Sequence, residues 1–391
     1  MRRRTLVLVA TSAAVVATLP GGIADAAAPN AHSQRVCADA PAGSAACFAE
    51  RRTDLAPLAT ATPQVTPAGY GPADIQSAYN LSAALSGGRT VAIVDAYDDP
   101  SAEADLGVYR TQYGLPACTT ANGCFRKVNQ NGGSKLPRTN GGWAQEISLD
   151  LDMVSATCPD CKILLVEAST PSFTNLGTAV RYAATQKPAA ISNSYGGSDA
   201  SDATYGGYYN FPGIAITAST GDNGYQGGSY PASSSYVVAV GGTSLRRANT
   251  ARGWSESVWS GAGSGCSTYN TAIAAASSSD TGCARRAMAD VSAVADPSTG
   301  VAVYDSFAYQ GASGWLVFGG TSASAPIIGA VYALSGNTAG YPSALPYQHA
   351  SSLNDVTTGT NGTCPTIQWC TARTGWDGPT GVGTPNGVLG F

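Results

Sequence analysis

Five short β-branched and apolar runs, separated by helix-length intervals, limit most strongly what this chain can fold into. They are TVAIVDAY (90–97), KILLVEA (162–168), AAISNSYG (189–196), GIAITAST (213–220) and YVVAVGGTS (236–244). Between them lie WAQEISLDLDMVSA and TNLGTAVRYAAT, whose apolar residues recur at three- and four-residue spacing and predict helices. Strand alternating with helix implies an α/β fold, a parallel sheet with helices on both faces. Sheets of this kind collect functional groups at the carboxyl ends of their strands, where the chain turns into loops. The stretch 246–290 has no clear period and reads as irregular surface.

The chain opens with MRRRTLVLVATSAAVVATLP, a basic start and an apolar run, followed by the small residues Ala24-Asp25-Ala26-Ala27-Ala28. This predicts a secretory signal peptide over residues 1–28, cleaved near Ala26 or Ala28, and an extracellular protein. The apolar run falls short of the ~20 residues a membrane-spanning helix needs, so no membrane partner is expected after cleavage. Residues 29–65 are rich in Ala, Pro and Thr and end in PLATATPQVTP, which reads as a short pro-segment or linker before a domain at 66–391. Beyond residue 65 the chain carries 15 basic against 21 acidic side chains (21 − 6 and 25 − 4), a balance of −6 that argues against nucleic acid as a partner.

Ten cysteines in an exported chain should be oxidised. They fall as sequence neighbours (37 with 47, 118 with 124, 158 with 161, 266 with 283, 364 with 370), and five local loops are the simplest pairing, although spacing does not prove it. The Cys158-Pro-Asp-Cys161 unit reads as a structural disulfide, with a redox pair or half a zinc site as the alternatives. The disulfides and acidic balance suggest a durable monomer.

GGTS occurs twice, at 241–244 and 319–322, and only the second is followed by a helix-compatible stretch, SAPIIGAVYAL, with Pro326 in its first turn. Ser322 in VFGGTSASAP therefore stands where unpaired N–H groups and the helix dipole favour a developing oxyanion. An ordinary N-cap is the plainer reading. The usual proton acceptor for such a serine is missing, because His32 and His349 are the chain's two histidines and both lie outside the segment from the first strand to the serine. Glu146 and Asp150, four apart, share one face of the predicted helix. Two carboxylates so placed repel, one holds its proton more tightly, and the pair can share a proton, with Glu146 accepting from Ser322 and Asp150 orienting it. A solvated helix face is the alternative, and Asp152 is assigned to that kind. Asp222 sits in the glycine-flanked turn after GIAITAST, where a protonated carboxyl could donate to an oxyanion, or where it could simply form an Asx-turn.

A subtilisin would place an Asp at the end of the first strand, a His on a following helix and Ser in a G-T-S turn. Asp95 and Ser322 fill two of these places, and no histidine fills the third. With Glu146, Asp150, Asp222 in STGDNG and Ser322 in GGTSASAP, residues 70–391 resemble the sedolisin family of serine-carboxyl peptidases. The resemblance implies a subtilisin-like fold in a single large catalytic domain, a Ser-Glu-Asp triad, an oxyanion aspartate and work in acid on protein or peptide substrates. It also implies one structural Ca2+ ion, held by Asp355, the carbonyls of Val356, Arg373 and Gly375, and Asp377, with water completing the shell. Members commonly have glycine where Arg373 stands, which matters little for a backbone ligand. They are also commonly made with a long folded pro-domain, whereas here about forty residues separate the signal from the domain. Either the short cysteine-bearing segment serves that purpose or activation differs.

A catalytically inactive, secreted peptide-binding protein on the same scaffold is a second reading. A glycosidase using the carboxylate pair is a third, disfavoured because groups on adjacent turns of one helix cannot easily flank a glycosidic bond.

Overall fold

The computed structural model describes residues 32–59, 66–81, 85–337 and 340–391, so the expected signal peptide lies outside the described residues. The described chain begins with three short strands, β1 (Ser33–Arg35), β2 (Ala46–Cys47) and β3 (Glu50–Arg52), and a short helix α1 (Pro72–Ala78). The central layers follow as β4 (Thr90–Ala96), α2 (Ala102–Gln112), β5 (Phe125–Asn129), α3 (Gly141–Thr157), β6 (Lys162–Ala168) and α4 (Phe173–Thr185). Next come β7 (Ala190–Asn193), β8 (Tyr195–Ser198), the single turn α5 (Asp202–Tyr205), β9 (Ala215–Ser219), β10 (Ser229–Tyr230), β11 (Val238–Arg247) and β12 (Trp254–Val258). The short pair β13 (Gly265–Cys266) and β14 (Ala287–Met288) precedes β15 (Val291–Val294), β16 (Val301–Tyr309), β17 (Ala312–Gly319) and α6 (Thr321–Ser335).

The main sheet has eight strands in the order β12-β11-β9-β7-β4-β6-β5, with β15 also paired to β11. All its pairings are parallel except β11 with β12. The interior strands β7 and β9 are buried throughout and β4 almost so, as their continuous apolar sequences require when helices cover both faces. All five expected strands are present. AAISNSYG is broken after Asn193, and its second half, β8, leaves the main sheet to form a small one in the order β10-β8-β2.

Two helices pack against each other at the centre of the molecule, α3 and α6. In α6 every residue from Thr321 to Leu334 is buried, and Gly336 closes the helix in the left-handed conformation at φ 68°. α3 starts where the Asn140 side chain accepts the Trp143 N–H. It is buried from Gly142 to Thr157 despite carrying Gln145, Glu146, Asp150 and Asp152. The expectation that Asp152 faces solvent is corrected: it is 1% exposed and accepts the Tyr304 N–H at 2.9 Å. The backbone of β16 meets the flank of α3 there, so the side that sequence spacing leaves free is covered by a distant segment.

The five disulfides join the sequence neighbours, Cys37–Cys47, Cys118–Cys124, Cys158–Cys161, Cys266–Cys283 and Cys364–Cys370. The Cys158-Pro-Asp-Cys161 unit is thus one of them. The stretch 246–290 is less irregular than its sequence suggests, since it contributes β12 to the main sheet and a fully buried Arg286. Residues 32–59 are built into the fold: β3 pairs with β1 and β17, and β2 with β8. Among the described residues no helix is long and apolar enough to cross a membrane.

Candidate active site

Ser322, Glu146, Asp150 and Asp222 come together at the carboxyl edge of the main sheet, and all four are buried. Ser322 is the second residue of α6. The helix enters through Gly320 at φ 91°, a conformation that L side chains rarely adopt, and a Cβ there would collide with the Phe48 carbonyl oxygen and stand 2.6 Å from Asp222 Oδ2. The turn is therefore shaped to let a peptide carbonyl reach the start of the helix.

Glu146 and Asp150 project from one face of α3 towards this point. Glu146 is held well above the usual carboxylate range by burial and by the neighbouring Asp95, and is drawn back by the nearby Ser322 hydroxyl and by the Ala49 N–H, which donates to its Oε2 at 2.8 Å. The Ser322 hydroxyl, beside Glu146, donates to the Ser194 carbonyl at 3.1 Å. Asp150 is raised by burial and then by the charges of Asp95 and Glu146, and its Oδ1 accepts from Ser194 Oγ at 2.7 Å. Asp95, at the end of β4, is pushed up to about 8 by burial. Glu146 Oε1, Asp150 Oδ2 and both Asp95 oxygens are buried without a donor among the described residues. Among the described residues no cation is ion-paired with the cluster, so these oxygens are satisfied when protons lie between them.

Asp222 is arranged differently. Its Oδ1 accepts from both the N–H and the hydroxyl of Thr321, each at 2.8 Å, while Oδ2 is buried without a donor. Burial raises its pKa well above the usual range, with Glu50 adding to the effect and Thr321 opposing it. One oxygen is committed as acceptor, which leaves the other to carry the proton and donate. Thr321 is fixed in turn by Ser219 Oγ, which donates to its carbonyl at 2.8 Å.

Sequence reasoning found these four side chains but gave no role to Asp95, Ser194 or Thr321. Asp95 was visible as the strand-end acid at the subtilisin aspartate's place. Ser194 and Thr321 carry no signal, because their roles exist only once α6 lies beside β7 and β9. His32 and His349 are both exposed and outside the cluster.

At the C-terminal loops, Asp355 Oδ2 accepts the Gly375 N–H at 2.9 Å, and Asp377 Oδ1 accepts the N–H and hydroxyl of Thr380 at 2.9 and 2.8 Å. The Arg373 N–H lies 3.4 Å from Asp377 Oδ2, and Val356 is buried. Burial pushes Asp377 up to about 7, and the charge of Asp355 adds to this. Neither carboxylate is ion-paired among the described residues. Two carboxylates near enough for one to raise the other, Asp377 fully buried, fit a hard cation that takes oxygen ligands. Elsewhere Asp99, Asp105 and Asp305 bring carboxylate oxygens within 4.8 Å of one another, a grouping the sequence gave no reason to expect.

The sequence pattern of the subtilase family matches residues 131–378. The chain belongs to that family. Kumamolisin of Bacillus sp. (strain MN-32) is 30% identical over 363 residues, which cover 82% of this chain and 63% of that protein. The chain thus spans a little under two thirds of the length of that relative. Sedolisin of Pseudomonas sp. (strain 101) is 33% identical over 174 residues, 40% of this chain and 28% of that one. The solved structure of Pseudomonas sedolisin, a serine-carboxyl proteinase complexed with two molecules of pseudo-iodotyrostatin, superposes with a TM-score of 0.67 at 26% identity, covering 82% of this chain and 96% of that one. These likenesses place this subtilase with the sedolisins, and its fold is subtilisin-like.

Proposed function

We propose that the chain is a secreted serine-carboxyl endopeptidase acting in acid. Ser322 attacks the peptide carbonyl, Glu146 takes its proton and returns it to the leaving nitrogen, Asp150 and Asp95 hold the cluster's protons, and Asp222 Oδ2 donates to the oxyanion. The observation that carries this reading is the Ala49 N–H, a peptide nitrogen bonded to Glu146 Oε2 at 2.8 Å beside the Ser322 hydroxyl. Glu146 is thereby in reach both of the nucleophile and of a peptide nitrogen, the two stations a general base must serve.

The cluster acts as one titrating unit. Burial raises every member of it, and the single negative charge left by the first proton lost is shared with the remaining carboxyl O–H groups, Ser194 and a peptide N–H. A second loss is opposed by that charge. The active form is the singly ionised cluster with Asp222 still protonated, and activity falls as pH rises and the shared and donor protons leave.

Homology to sedolisins and five disulfides support export, and protein or peptide substrates follow from the chemistry. We assign a structural Ca2+ to Asp355, Asp377 and the carbonyls of Val356, Arg373 and Gly375. There it would compensate two carboxylates and tie the C-terminal loops together. The chain is read as a monomer that binds no nucleic acid. Hydrolysis of denatured casein at pH 4 by the chain and by Ser322→Ala tests the reading. Cleavage is expected to fall at least about ten-thousandfold in the variant, and equal cleavage by both would remove the proposal.

A further inference from the structure

A second group of acids lies where α2, α3 and β16 pack together, apart from the catalytic cluster. Asp99, in the loop after β4, Asp105 of α2 and Asp305 of β16 each bring a carboxylate oxygen within 4.8 Å of the other two. All three are buried, and among the described residues none of them is ion-paired. One oxygen of each is pinned by a backbone N–H. Asp99 Oδ1 accepts from Ser101 at 2.8 Å, Asp105 Oδ2 from Ser306 at 2.8 Å and from the Ser306 hydroxyl at 3.1 Å, and Asp305 Oδ1 from Phe307 at 3.1 Å. Each carboxylate is thereby fixed in orientation with one oxygen left over, and Asp305 Oδ2 is buried without a donor among the described residues.

Acids can gather without a ligand, but Gln145 of α3 points to one here. It is 0% exposed and lies beside Asp305, yet neither polar atom of its amide has a hydrogen-bond partner among the described residues. A buried amide left in that state costs free energy, which a cation beside its oxygen would recover. Three residues further along α3, on the same side of the helix, Ser148 Oγ stands 3.5 Å from Asp99 Oδ2. Three carboxylates, an amide carbonyl and a hydroxyl thus converge from the loop after β4, α2, α3 and β16.

We propose that Asp99, Asp105 and Asp305, with the Gln145 carbonyl and the Ser148 hydroxyl, form a second cation site, one that takes an octahedral divalent ion of the size of Mn2+ or Mg2+. The size follows from the pinned oxygens. Calcium often reaches its higher coordination numbers by gripping carboxylates through both oxygens, and here backbone N–H groups occupy the second oxygen of each. Single oxygens, with water completing the shell, suit the smaller hard ions. Lys127, which donates to the Asp99 carbonyl at 2.6 Å, offsets part of the charge that three carboxylates leave around one divalent ion. The ion would tie α2 and β16 to α3, the helix that carries Glu146 and Asp150. Protons are the competing occupants, since burial pushes Asp99 up to about 7 and Asp305 up to about 8. The inference concerns a different face of α3 from the catalytic one and does not rest on the peptidase reading.

The test uses the full-length chain, stripped of metal and held near neutral pH in saturating Ca2+, so that the C-terminal loops are already supplied. Mn2+ is then titrated in, its free concentration read by electron paramagnetic resonance and the melting temperature by calorimetry. The account expects a single Mn2+ to be taken up per chain, a melting temperature that rises with Mn2+, and release of the bound ion by excess Mg2+. Asp377→Asn should take up Mn2+ as the parent does. Asp305→Asn, which keeps the shape of the side chain and removes its charge, should lose the uptake. Ser306→Ala removes one of the donors that aim Asp105, should weaken uptake about tenfold, and covers the case in which Asp305→Asn fails to fold. No uptake in the presence of Ca2+ would mean that the cluster takes no such ion, and uptake unchanged in both Asp305→Asn and Ser306→Ala would place the Mn2+ elsewhere. Either result overturns the inference and leaves the peptidase reading standing.

Discussion

Asp290 and Glu146 are equally buried, each 0% exposed, and the fold treats their charges in opposite ways. Asp290 receives two hydrogen bonds from Arg286, at 2.7 and 2.5 Å, one from the Tyr347 hydroxyl at 2.7 Å and one from the Ala239 N–H at 2.7 Å. Its charge is matched by a cation and both oxygens are satisfied. Glu146 sits among Asp95, Asp150 and Asp222, with no cation bonded to it and one oxygen without a donor among the described residues. An acid meant only to hold structure is neutralised by a fixed charge. An acid neutralised by protons stays titratable, which a general base requires.

Exchanging the two treatments should produce opposite failures. Glu146→Gln is expected to cut kcat/KM by about a thousandfold while leaving the fold as stable or more so at neutral pH, because a buried ionisable group has been removed. Arg286→Met should cost about 3–5 kcal/mol of stability by stranding Asp290, with the folded fraction still active. Urea denaturation and peptide turnover on both variants separate the effects, and a Glu146→Gln protein that unfolds as readily as Arg286→Met would erase the distinction.

Asp222 sharpens the contrast, since only one of its oxygens needs a proton. Asparagine can keep its oxygen on Thr321 and donate from its amide, whereas alanine can do neither. Asp222→Ala should lose roughly 10²–10³ in kcat. Asp222→Asn should retain far more, and its activity should persist to higher pH, because its donor no longer titrates. Equal loss in both variants would mean that Asp222 does not donate to the oxyanion.

The C-terminal loops offer a third kind of compensation, a metal ion. Removing Ca2+ with a chelator should lower the melting temperature, by an amount equivalent to about 2.7 kcal/mol when the parent is measured at a hundred times its Kd. Asp377→Asn should abolish the chelator's effect. A melting temperature indifferent to both would exclude the ion.

The smallest step, read per pH unit, is in stability. Asp95, Asp305 and Glu167 are raised chiefly by burial, to about 8, about 8 and about 9. The folded state therefore binds more protons than the unfolded one above pH ~4, where free carboxyls ionise. Stability from these groups is complete below that pH and declines as pH rises towards 8 or 9, by up to about 1.4 kcal/mol per unit for each group. Calorimetry from pH 3 to 8 should show a falling melting temperature, and a rise towards neutrality would contradict the assignment of protonated buried acids.

Much of the frame was legible because parallel strands and amphipathic helices are local patterns. KILLVEA became β6 without a residue's change, and GGTSASAP became the entrance to α6. The spacing of Glu146 and Asp150 showed that they share a face of α3, but only packing showed that the face is buried. The same local logic failed for Asp152, which a strand more than a hundred residues away covers. It was also undecided on residues 29–65, whose Ala, Pro and Thr content suits a linker as well as a pro-segment. Their described part, 32–59, pairs with β8 and β17, partners fixed by tertiary structure rather than composition.

The central claim is that a carboxyl cluster in place of an imidazole activates Ser322. The most direct measurement is kcat/KM for a peptide substrate from pH 2 to 9, taken on the parent chain and on its Glu146→Gln variant. The account predicts a peak in acid that declines towards neutrality for the parent and a flat, near-background line for the variant. Activity that climbs to a plateau at neutral or alkaline pH, or a variant that keeps the parent's rate, would contradict it.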